Sequence, residues 1–149
     1  MNYTLGKIPI LITAACFAAL SFFACATSNV SIPADLSPAE IIQRAQEASD
    51  RNRYNIALQY YEALLERNYY NLALVCTAEY EIAFIKYKQN NFDEARERFF
   101  ALLTRYEAPG SEDLPQQFKV LSGIVLERMD ERERQRQLFG RRQRAVNNE

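Results

Sequence analysis

The chain reads as an all-α protein, and three observations carry that reading. Apolar residues recur at helical spacing through most of residues 38–139, with almost no strand-like alternation. The pattern is broken at "EAPGSEDLP" (107–115) by two prolines and a glycine. Two stretches also repeat: "NRYNIALQYYEALLERNY" (52–69) lies over "NNFDEARERFFALLTRYE" (90–107), so that Asn52 falls on Asn90, Tyr54 on Phe92, Ala57 on Ala95, Tyr61 on Phe99 and Leu65 on Leu103. A constant offset of 38 residues is the mark of a repeated helical hairpin. The small alanine on the shared face lets a neighbouring helix approach closely.

The expected elements follow in order. Over Pro38 to Asp50, Ile41, Ile42, Ala45 and Ala48 share a face, and Pro38 suits a first turn capped by Ser37. A second helix over Tyr54 to Arg67 aligns Ala57, Leu58, Tyr61, Leu64 and Leu65 on one stripe. The third, about Leu72 to Lys88, is apolar over most of its circumference and is therefore expected at the centre, covered on more than one side. The fourth spans about Phe92 to Tyr106, with Asp93 and Glu94 placed where the helix dipole favours acids. "EAPGSEDLP" (107–115) breaks the pattern, and a fifth helix runs from near Gln116 to about Phe139, followed by an arginine-rich tail over 140–149 expected to fray.

Ahead of this domain stands an export-type segment: Lys7, then a largely apolar run from Ile8 to Phe23. Ala24 before Cys25 suits cleavage of 1–24 and acylation of Cys25, with 25–37 as a flexible tether. Two other outcomes stay open at this point, cleavage after Ala26 at the A-x-A site and retention of Ile8 to Ala26 as a membrane helix. Cys16 is a poorer acceptor, with too little apolar sequence ahead of it. Removal of 1–24 leaves 125 residues, enough for one domain with a core. Cys76, in "LALVCTA", is then expected to be a buried small hydrophobe.

Composition excludes much chemistry. The chain has 0 histidines, which removes the commonest general base, the commonest metal ligand and the Ser-His and Cys-His nucleophile arrangements. Its 4 glycines form no phosphate-cradling loop. A net charge of -1 gives no field that argues for nucleic acid. No catalytic residue, metal ligand or cofactor is assigned, and the chain is expected not to be an enzyme.

At "YEIAFIKYKQNNFDEARERFFALL" (80–103) the sequence resembles the tetratricopeptide repeat family: Ala83 stands at the small position of one helix, Phe92 and Ala95 open the next, and Phe99 follows. Ile41 and Ala45 match the first repeat more weakly. The resemblance covers roughly residues 38–107 and implies a short solenoid of two hairpins capped by the fifth helix. The offset of 38 exceeds the usual 34, so either a connection or the central helix is longer by about one turn. With an export signal and "FDEARERFFALLTRYEAP", the chain looks like the BamD-like lipoproteins of outer-membrane barrel assembly, though with fewer repeats. That likeness implies a lipid-anchored, periplasm-facing scaffold for envelope proteins or peptides, at the outer membrane rather than the inner.

The expected partner-binding groove lies on the third helix, where Tyr80, Phe84, Tyr87 and Lys88 follow i, i+4, i+7, i+8 spacing. The competing reading places these side chains in the core. "NYYN" (68–71) fills the hairpin junction or adds to the groove. In "ERERQRQ", Glu131 with Arg134 and Glu133 with Arg136 are spaced to pair on a solvent face. Arg141, Arg142 and Arg144 are candidates for contact with anionic lipid or an acidic partner. The rival to a scaffold is a ligand-carrying accessory lipoprotein with a small apolar or solute ligand in its concave pocket. Two repeats leave end surfaces to cover, so a homo-oligomer is compatible with the sequence.

Overall fold

The computed structural model describes residues 29–146, and these are all-helical: α1 Pro38–Asp50, α2 Tyr54–Arg67, α3 Leu72–Lys88, α4 Phe92–Glu107, a 3-10 turn Ser111–Asp113 and α5 Gln116–Val146. The signal segment and the acylation of Cys25 fall outside the described residues. No described helix is long and apolar enough to cross a membrane.

Local chemistry sets the ends. Ser37 closes a capping box on α1: its hydroxyl accepts from the Glu40 amide, and the Glu40 carboxylate accepts from the Ser37 amide at 2.9 Å. Asn71 caps α3 by accepting from the Leu74 amide at 3.3 Å. The turns after α1 and α3 are copies of one another. Asn52 and Asn90 both take left-handed backbone, φ 56° and 60°. The Arg53 amide donates to the Ala48 carbonyl at 2.8 Å, and the Asn91 amide to the Lys86 carbonyl at 3.0 Å. These long return bonds satisfy carbonyls at the helix end. Asparagine tolerates the left-handed region better than most residues with a side chain, which explains its recurrence at both turns.

The repeat therefore extends to backbone geometry: α1–α2 and α3–α4 are two hairpins with the same turn. Ala57 and Ala95 are both fully buried, as are Tyr61 and Phe99. The extra turn implied by the 38-residue offset lies in the central helix, since α3 has 17 residues and α1 has 13.

Two cores meet on α3. Ala78, Ile82 and Ile85 join Ile41, Ala45, Tyr61 and Leu64 of the first hairpin. Cys76, Tyr80 and Ala83 join Phe99, Leu102, Tyr106, Phe118 and Met129 of α4 and α5. Cys76 is fully buried, and burial pushes its thiol up from the ordinary value, in keeping with a packing role. Between α4 and α5, Gly110 takes φ +83°, a conformation that favours glycine. The loop is tied by the Tyr106 hydroxyl donating to the Pro115 carbonyl at 2.9 Å.

Two expectations change. Residues 30–36 are not a free tether: Val30, Ile32 and Leu36 pack against the first core, and Arg67 donates to the carbonyls of Ile32 and Pro33 at 3.0 and 2.9 Å. Nor does the fifth helix end near Phe139; α5 continues to Val146, with no proline or left-handed residue to stop it. Its 31 residues span about 46 Å, roughly twice the length of α4. Its buried stripe, Phe118, Ser122, Val125, Leu126 and Met129, occupies only the first half.

Candidate functional site

The four residues expected to line a groove separate into different environments. Tyr80 is only 7% exposed and sits in the core between Phe84, Phe99 and Phe118, with ring centroids 5.3–5.9 Å away. It does not line an open surface, because α5 lays Phe118 over it. Phe84 and Tyr87 are half-buried against the same core. Lys88 is exposed but engaged: its ammonium is 3.2 Å from the Ser49 hydroxyl and lies over the rings of Tyr54 and Phe84 at 5.7 and 5.5 Å.

What the structure adds is the continuation of this aromatic row. Phe84 stacks near Tyr87 at 5.9 Å, and Tyr87 meets Phe92 at 5.8 Å. Phe92 is the first residue of α4, so the left-handed turn at Asn90 delivers its ring to the edge of the fold. There α5 has passed its last buried residue, Met129, and the next inward positions, one and two turns on, are Arg132 and Arg136. Both guanidinium carbons lie near the Phe92 ring, at 5.4 and 5.6 Å from its centroid. Each such cation–ring contact contributes on the order of 0.5–1 kcal/mol at an exposed site.

These groups border a cleft of about 360 Å³ between the start of α4 and the middle of α5, whose walls include Asn90, Asp93, Arg96, Met129 and Glu133. Arg96 is already engaged, 2.6 Å from Asp130 and 3.8 Å from Glu133. Lys86, Arg98 and Arg105 likewise face carboxylates, with Glu94 between the first two and Glu79 opposite the third. Among the described residues Arg132 and Arg136 belong to no ion pair. Two planar, permanently charged groups are thus held against a ring with their donors unspent. Such an arrangement suits a carboxylate, which a guanidinium fork can bind through two parallel hydrogen bonds.

The i, i+3 pairs expected within "ERERQRQ" are not made. Glu133 turns instead to Arg96 and accepts from Gln137 at 3.4 Å, because α4 supplies a cation closer than Arg136. The sequence pattern gives Phe92 as a repeat position and Arg136 as a surface partner of Glu133, and it does not single out Arg132. A signal was present: extending the stripe Phe118, Ser122, Val125, Met129 by its own spacing reaches Arg132 and Arg136. In "NYYN", Tyr69 and Tyr70 are exposed, with ring centroids 3.8 Å apart.

Among curated proteins, one from Treponema pallidum (strain Nichols), described as "Uncharacterized protein", is 36% identical to this chain over 109 residues. The match takes in 72% of this chain and 44% of that protein, so the chain spans less than half the length of the relative it matches. No protein-family model matches the chain. No solved structure matches it either.

Proposed function

We propose that this chain is a membrane-tethered scaffold of tetratricopeptide type, which binds a carboxylate-bearing segment of another envelope protein in the α4–α5 cleft. The observation that carries the reading is the Phe92 ring with Arg132 and Arg136 against it, neither in an ion pair among the described residues. The matching turns at Asn52 and Asn90 and the buried alanines at Ala57 and Ala95 support a two-hairpin solenoid with α5 as its cap. The tether itself is assigned to acylated Cys25, and the likeness to barrel-assembly lipoproteins makes outer-membrane protein assembly the setting. A ligand carrier has less support, because the aromatic row it would use as a pocket wall is filled by Phe99 and Phe118.

A photo-cross-linking amino acid in place of Asp93, in the full chain and in intact cells, tests the cleft. A discrete adduct with one envelope protein is expected. Replacing both Arg132 and Arg136 with alanine should weaken it tenfold or more, as follows from losing charge-assisted bonds of about 1.5–3 kcal/mol each. A missing adduct, or one unaffected by the arginine changes, overturns the proposal. Replacing Cys25 with serine should abolish incorporation of labelled palmitate; persistence of label would remove Cys25 as the anchor.

A further inference from the structure

One flank of α5 carries a second pattern, each residue one position before a member of the buried stripe or its extension and so about 100° round the helix from it. Gln117, Leu121, Ile124, Arg128, Glu131, Gln135, Leu138 and Arg142 succeed one another at alternating steps of four and three residues, the spacing of a coiled-coil seam, and all eight are exposed. The apolar members lie at the two ends: Leu121 and Ile124 near the start, Leu138 near the finish. Val120 and Phe139, 61% and 66% exposed, widen those ends. Arg128 and Glu131 hold the middle, and neither belongs to an ion pair among the described residues.

We infer that this face is an antiparallel, two-fold interface with a second copy of the same chain. Reversing the pattern about a point between Met129 and Asp130 superposes it on itself. Leu121 then meets the other copy's Leu138, Ile124 meets Gln135, and Arg128 meets Glu131. Beside the seam, Glu127 faces Arg134. Both opposite-charge contacts occur twice, as a two-fold axis requires. A parallel pairing would put Arg128 on Arg128 and Glu131 on Glu131, so charge chooses the antiparallel arrangement. Polar residues at seam positions fix register at a cost in affinity, and the apolar ends supply the area. The seam runs beside the row that carries Arg132 and Arg136 but uses neither residue, so its test and the test of the cleft read different positions.

The test uses two differently tagged copies of the full chain, co-expressed and oxidised in intact cells. One copy carries Leu121→Cys and the other Leu138→Cys. A disulfide-linked pair several-fold above the parent chain is expected. Copies that both carry Leu121→Cys should give only the parent's background, since an antiparallel pair holds those positions about 26 Å apart along the axis. Adding Arg128→Glu to both members of the 121/138 pair should cut the cross-link about fivefold or more through like-charge contact. Adding Glu131→Arg as well should restore it. Background-level 121/138 linkage, efficient 121/121 linkage, or failure of the double exchange to restore the signal each overturns the inference. A different protein, or a further helix, covering this face would give the first of these.

Discussion

The two hairpins share a turn and a packing pattern, yet they use the same positions differently. At the buried ring of the first hairpin stands Tyr61, fully enclosed, with its hydroxyl unpartnered and its ionisation pushed up, first by burial and then by Glu81 and Asp50. At the same place in the second stands Phe99, equally buried and without a hydroxyl. The repeat thus requires a ring there, not an oxygen. The leading rings differ in the opposite way. Tyr54 receives Lys88, which is also tied to Ser49, while Phe92 receives two arginines that belong to no ion pair among the described residues. The proposed binding cleft lies where the second hairpin departs from the first.

Four changes would break or sharpen that comparison. The largest effect is expected from Phe99→Ala or Tyr61→Ala, each of which should cost about 3–5 kcal/mol in chemical denaturation by leaving a cavity in its core. A smaller loss for one than the other would show that the two cores do not depend equally on their rings. Exchanging the residues comes next. Phe99→Tyr should cost about 1–3 kcal/mol by burying an unpaired hydroxyl, and Tyr61→Phe should be neutral or stabilising. A loss of stability on Tyr61→Phe would mean that the hydroxyl has a partner. At the turns, Asn52→Ala and Asn90→Ala should each cost about 1 kcal/mol, and glycine at either position should not, because φ near +60° strains alanine alone. Unequal losses would show the turns to be less alike in energy than in geometry.

The smallest effect concerns Glu81 on α3, whose carboxyl is pushed above the usual range by burial; Lys88 opposes the shift and Asp50 adds to it. The folded chain then holds this proton more tightly than the unfolded chain does. Stability at this residue is therefore lost as pH rises from the ordinary carboxylate value through the folded one. Glu81→Gln should raise the melting temperature at neutral pH, and the gain should vanish in acid. A gain that is equal at both pH values would assign the effect to packing.

The features legible in sequence were those written over short distances. Ser37 and Glu40 cap α1 through neighbours three residues apart, Asn71 caps α3 in the same way, and the observed bounds of α1, α2 and α3 coincide with those expected. The offset that pairs Tyr61 with Phe99 also announced the repeated turn. The site was less legible for a definite reason. A helix apolar on most sides, like α3, gives no direction of its own, so nothing local states whether Tyr80 looks into a groove or a core.

By itself, then, the sequence determined that the chain is helical, that one hairpin recurs after 38 residues, and that no histidine is available for chemistry. The tertiary structure decided the rest. Phe118 of α5 closes over Tyr80, α5 runs on past its own core, and Arg132 and Arg136 come to rest on a ring that lies 40 and 44 positions earlier in the chain. Caps and turns depend on hydrogen bonds a few residues long, whereas burial and the meeting of distant charges depend on which neighbour arrives. That is settled only when the helices pack.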